Sequence, residues 1–286
     1  MDPERPLARD PGLTSRVGRD GLLRLRFERR GPGTVVAGCR AVPPLQMLAP
    51  MALDAPAAVV FVLNPTGGVV GGDRLVIEVE AGPDAHACLT TPSATRVYRT
   101  EGEPAVQEVS LRLAPGAVVE WVPDHTIPFA GSGFRQSIRA EVGDGARLIL
   151  VDAFAAGRIA RGEAWGFGRL ESALLVGDAR GPLLHDRFRL EGGEAWAGLG
   201  FTEGRPYFAT VVVVADAGLA ELQEAVAEAG RGRTEVVLGI GALPRRGAVV
   251  RCLAASAPAL GEALEVVWAA ARRTVLGSPA LALRKA

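Results

Sequence analysis

Lysine is almost missing from this 286-residue sequence: Lys285 is the only one, and arginine supplies nearly all the basic charge. Cysteine is scarce as well. Cys39, Cys88 and Cys252 are odd in number and widely separated, with no CxxC pair. That argues against a disulfide framework and a structural zinc site, and fits a reducing compartment. The three histidines, His86, His125 and His185, never fall at ligand spacing and are expected on the surface or in loops. Without a Cys/His tract, a metal-storage protein is the poorest reading. Long apolar runs are absent too. The longest, around 57–63 and 209–215, are strand-sized and too short to cross a bilayer. Residues 1–20 contain Pro, Arg and Asp but no apolar h-region, so no secretory signal is expected, and a cytoplasmic location follows. The 32 basic and 32 acidic residues cancel, which gives no global field for nucleic acid or a membrane surface.

What is present is a large supply of apolar residues, 48% of the chain, arranged mostly at strand period. Leu23, Leu25 and Phe27 alternate with Arg24, Arg26 and Glu28, and the same alternation returns in 75–80, 109–113 and 134–142. Continuous apolar runs at 57–63, 148–151 and 210–214 read as strands buried on both faces. Gly- and Pro-containing turn signals recur at short intervals. Two segments switch to helical period: Leu219, Leu222, Val226 and Ala229, and then Leu260, Ala263, Leu264, Val267, Trp268, Ala271 and Val275. The second has Ser256 and Pro258 at its start, Arg272 and Arg273 in its last turn, and Gly277 and Pro279 as a stop. The expected fold is mainly β: an extended, antiparallel-rich body of β-helix-like layered sheets with two α-helices toward the C-terminus. Residues 1–20 are expected to be a mobile leader, and 21–286 one domain.

A search for chemistry finds little. Gly67 and Gly72 have the spacing of a phosphate-binding loop, but Asp73 and Arg74 stand where Lys and Ser or Thr belong. The segment also leads into a strand pattern, so no helix N-terminus is available for an anion. Asp124-His125 and His185-Asp186 are adjacent pairs that a strand would point to opposite faces. No G-x-S-x-G elbow is present. Glu163 and Asp152 lie near Arg158 and Arg161 in sequence, which suggests solvated ion pairs.

Four blocks in order resemble the UreD (UreH) family of urease accessory proteins. LNPTGGVVGGDRL at 63–75 contains Gly67, Gly68, Gly71, Gly72, Asp73 and Arg74. LTTPSATRVYR at 89–99 contains Thr91, Pro92 and Arg99. VVEWVPDHTIPF at 118–129 contains Glu120, Trp121 and Thr126, and GRIARGE at 157–163 contains Gly157, Arg158 and Glu163. The 268–272 segment is similar to the family's last helix. Asn64 and His125 depart from the family pattern, which usually has His and an acidic residue there, and a common arginine- and tryptophan-containing C-terminus is reduced to Leu283-Arg284-Lys285-Ala286.

The resemblance implies a β-rich scaffold and chaperone with no catalytic centre and no stably bound cofactor. It would bind a UreF-like helical protein, recruit a UreG-like GTPase and dock on apo-urease for nickel insertion. Nickel would pass only in transit, with Asp73, Glu120, Asp152 and Glu163 as candidate carboxylates. The competing expectation for these four is that they fix turns through buried hydrogen bonds and ion pairs. The competing function is an all-β hydrolase or isomerase with a site assembled from scattered residues such as His125, Asp124 and Arg99.

Overall fold

A computed structural model describes residues 19–54 and 56–283. The expected leader at 1–20 lies outside the described residues except for its last two, and Asp20 already opens the first strand.

The chain builds two sheets. The seven-stranded first sheet has the order β15 (Gly181–Glu191), β14 (Arg169–Asp178), β12 (Gly133–Val142), β9 (Ala105–Leu113), β6 (Arg74–Ala81), β1 (Asp20–Arg30) and β2 (Gly33–Val42). The eleven-stranded second sheet runs β17 (Val236–Ala242), β18 (Ala248–Ala254), β16 (Tyr207–Val214), β13 (Arg147–Ala155), β10 (Val118–Trp121), β7 (His86–Thr90), β5 (Ala57–Leu63) and β3 (Gln46–Met47). Three short strands branch from it: β4 (Met51–Asp54) on β5, β11 (Thr126–Pro128) on β13, and β8 (Thr95–Val97) on β11. Helices α1 (Leu219–Gly230) and α2 (Ala257–Ala271) follow near the C-terminal end, so the mainly β body with two late helices is as expected.

From β5 to β14 the chain coils. Successive long strands fall alternately in the second and first sheets, and each coil lays its strands parallel to those of the coil before. Ala58 lies beside Ala87, His86 beside Val118, and Val118 beside Arg147. A coil repeats its direction at every layer, which makes these pairings parallel. Antiparallel pairing is found at the flanks, where β2, β15, β16 and β18 turn back on their neighbours.

Burial follows from the layering. The alternating strands belong to the first sheet, whose inner residues Leu25, Ile77, Leu111, Ile138 and Leu174 fill the space between the sheets and whose outer residues face solvent. The continuous apolar strands belong to the second sheet, which is covered on both faces. Its far side packs Val151, Val211, Val213 and Val250 against Leu222, Val226, Leu260, Val267 and Trp268 of the two helices. Ser256 caps α2 by accepting from the Ala259 N–H at 3.3 Å. The helix widens into a π-type turn at Arg272–Leu276 before Gly277 ends it at φ +65°.

Candidate functional site

The four sequence blocks are one structural feature. Each lies in a crossing from the second sheet to the first, in four successive coils, and the crossings stack. Val69 N–H donates to Arg96 O at 2.8 Å and Tyr98 N–H to Val69 O at 2.9 Å, joining the first crossing to the second. Thr95 N–H to His125 O (3.1 Å) and Phe129 N–H to Val97 O (2.9 Å) join the second to the third. Gly131 N–H to Gly166 O (2.8 Å) and Ala130 N–H to the Glu163 carboxylate (3.2 Å) join the third to the fourth.

Two glycines show why the stack needs its residues. Gly68 has φ +159°, and a Cβ there would stand 2.5 Å from Arg96 O. Gly157 has φ +138°, and a Cβ would stand 2.3 Å from Glu163 O. The glycine-rich segment runs into β6 and not into a helix, so it lacks the helix N-terminus of a phosphate-binding loop. Asp73 is buried and accepts from Val70 N–H at 2.9 Å, closing the turn, and Arg74 pairs with Glu108 at 2.6 Å. Thr91 Oγ accepts from Asp124 N–H at 2.9 Å. Arg158 lies over the Phe129 ring, 4.2 Å from its centroid, and forks onto Glu163. That pairing and burial act in opposite directions on Glu163; the Arg158 hydrogen bond is the larger influence and holds the carboxyl below its ordinary range.

Beneath this rim a cavity of about 130 Å³ runs between the sheets. Gly67, Gly68, Thr91, Pro92 and Thr126 line its rim, with Trp121, Gln107, Gln136 and Asp152 also in its wall. The polar residues form a chain across the core. Gln107 donates to Gln136 Oε1 at 2.8 Å, and Gln136 donates to Asp152 Oδ1 at 2.7 Å. Ser172 Oγ donates to Asp152 Oδ2 at 2.8 Å. Burial is the main influence on Asp152 and pushes its carboxyl up to about 6, against the lowering effect of Ser172 and Gln136. Trp121 Nε1 is buried without a protein acceptor among the described residues. A cavity with such a donor, the carboxylates of Asp124 and Asp152 and the amides of Asn64, Gln107 and Gln136 in its wall is polar enough to hold water.

A second cluster locks α2 to the sheet. Glu120, on β10, is fully buried and accepts from His86 Nε2 at 2.7 Å and Trp268 Nε1 at 2.6 Å. It also pairs with Arg272, whose side chain is likewise fully buried and whose Nε donates to Pro279 O at 2.7 Å. Burial alone would raise the Glu120 pKa, but the His86 hydrogen bond, the Arg272 charge and the Trp268 N–H outweigh it and lower the pKa.

Several expectations change. His86 is not a surface or loop histidine but a buried member of this cluster, because β7 is covered on both faces. Arg272 falls at the C-terminal end of α2 as expected, but it is fully buried: it continues the apolar stripe one turn beyond Trp268 and pairs with Glu120. Asp152 and Glu163 do not share a solvated cluster; Asp152 lies in the inter-sheet network, and Glu163 belongs to the rim. His125 stacks edge-on to Tyr207 and lines a cleft beside α2 with Asp124, whereas Arg99 packs against Gly131 and does not line that cleft. Gln136 and Ser172 were not legible as site residues at all. Among the described residues no group of three or more His, Cys, Asp or Glu could hold a metal ion, and no helix is long and apolar enough to cross a membrane.

These observations define a coil-built, mainly β protein whose most elaborated surface is a rim of stacked loops over a polar inter-sheet cavity. The profile of the UreD urease accessory protein family matches residues 19–286, and the chain belongs to that family. Among its relatives, the urease accessory protein UreD of Deinococcus radiodurans is 35% identical over 277 residues, covering 96% of this chain and 98% of that protein. The UreD of Alkalilimnicola ehrlichii is 34% identical, covering 92% and 89%, and that of Klebsiella aerogenes 34%, covering 74% and 78%.

Proposed function

We propose that the chain serves urease maturation as a scaffold without catalysis of its own. It holds a UreF-like helical protein and a UreG-like GTPase together and docks on apo-urease while nickel is inserted. Membership of the urease accessory family over almost the whole chain is the observation that carries this reading. The absence of a lysine in the glycine-rich loop leaves the GTP chemistry to the partner. Leu199 and Phe201, 90% and 61% exposed, offer apolar surface of the kind a partner covers.

Nickel is cargo in this scheme, and the inter-sheet cavity is its passage. Asp73, Glu120 and Glu163 have carboxylates already committed to a turn N–H, a buried guanidinium and a forked arginine. Of these four candidates Asp152 lines the cavity, whose wall also includes Asp124, and the passage runs past it. One or two oxygen ligands bind a divalent ion weakly and exchange it readily, which suits transit. Asp152→Asn removes the charge with little change of shape. In a urease-producing host, this variant should leave urease abundant with several-fold less bound nickel, read by atomic absorption on purified urease. Unchanged nickel per urease would remove Asp152 from the path.

A further inference from the structure

The outer face of the first sheet is divided by charge. Toward β1, β6 and β9, Arg24, Arg26, Arg74 and Arg112 are matched by Glu78, Glu28, Glu108 and Glu80. Toward β12, β14 and β15 the match fails: Arg135, Arg139, Arg169, Arg187 and Arg189 share the outer face with Glu141, Glu171 and Glu191. Four of these arginines ring a single carboxylate. Glu171 is buried beneath Arg135, Arg169, Arg187 and Arg189, at 3.4, 3.7, 3.9 and 3.8 Å. Arg169 and Arg189 also share Glu191, at 3.2 and 2.8 Å. Arg135 and Arg187 have Glu171 as their ion partner among the described residues, and neither distance is that of a forked, hydrogen-bonded pair. Their side chains remain 54% and 64% exposed beside a depression of about 480 Å³ that Ser137 and His185 also line.

We infer that this arginine ring is a binding site for an acidic segment of a protein partner, with Arg135 and Arg187 as its two anchoring guanidiniums. Each can fork onto one carboxylate with donors that Glu171 leaves unused. They stand on β12 and β15 with β14 between them, and their nitrogens approach the same Glu171 Oε2 at 3.4 and 3.9 Å, which leaves a gap smaller than two strand spacings. A short peptide with carboxylates a few residues apart spans that gap. The intervening Glu171 and Glu191 disfavour a continuous phosphate backbone or a lipid surface, which would press negative charge onto them. The site lies on the face of the first sheet away from the inter-sheet cavity, and it stands whether or not the nickel reading holds.

The test uses the full chain and a fluorescein-labelled hexaglutamate peptide, followed by anisotropy at low ionic strength. The wild type should bind it, and Arg135→Glu with Arg187→Glu should weaken binding about tenfold or more. Arg24→Glu with Arg112→Glu changes net charge equally on the matched half and should leave affinity within about twofold. Glu171→Gln removes the internal competitor and should tighten binding; it tests the site should the charge reversals fold poorly. Equal weakening by both double variants, no effect of either, weaker binding by Glu171→Gln, or binding of phosphatidylserine vesicles in place of the peptide would each overturn the assignment.

Discussion

Arg272→Ala should destabilise the protein by about 3–5 kcal/mol, read as a lowered midpoint of urea unfolding by circular dichroism. The size follows from burial. Glu120 and Arg272 are both sealed from solvent between the second sheet and α2. Removing the guanidinium strands a carboxylate whose two other donors are a histidine ring nitrogen and an indole N–H. The effect should be local first, with hydrogen exchange of α2 accelerating before that of the coil, because Arg272 ties the π-type turn to β10. Glu120→Gln combined with Arg272→Met keeps a neutral acceptor for Trp268 and His86 and should recover most of the loss. A cost below about 1 kcal/mol for Arg272→Ala would mean that the pair is solvated, contrary to the packing described.

Asp152→Asn should act in the opposite direction. The wild-type carboxyl titrates from 3.8 unfolded to about 6 folded. Its raised folded value means that the native state holds the proton more tightly than the unfolded chain does. Asp152 therefore contributes stability that is present below pH 3.8 and lost as pH rises through 6. A shift of that size corresponds to about 3 kcal/mol. The stability difference between Asp152→Asn and wild type should climb from near zero at pH 4 to as much as about 3 kcal/mol in favour of the variant at pH 7, measured by urea unfolding across pH. A difference independent of pH would show that Asp152 is not desolvated. A variant that is more stable yet delivers less nickel would separate the use of this charge from its cost in folding.

Much of the fold is legible because burial writes itself into period. The alternating strands of the first sheet and the continuous apolar strands of the second announce one covered face and two. The caps of α2, Ser256 and Gly277, are equally plain. The coil is legible in outline, as β-helix-like layered sheets, but its parallel stacking is not: that is set by the register between layers, and the layers share no repeated side-chain pattern. For the same reason four blocks that read as separate motifs give no sign of being four stacked crossings. The Glu120 cluster was partly readable. Arg272 falls four residues after Trp268 on an apolar stripe, a buried cation in need of a carboxylate, and His86 opens an apolar strand, a buried ring in need of a polar partner. The Asp152 network was not, since Gln107, Gln136 and Ser172 look like ordinary strand polar residues until the two sheets face each other.

The most direct test of a role in urease maturation is to delete this chain from its urease-producing host, then purify the urease and measure its nickel content and activity. The account predicts normal amounts of assembled urease that is nearly metal-free and inactive, restored by returning the gene. Fully nickel-loaded, active urease from the deletion strain would contradict it.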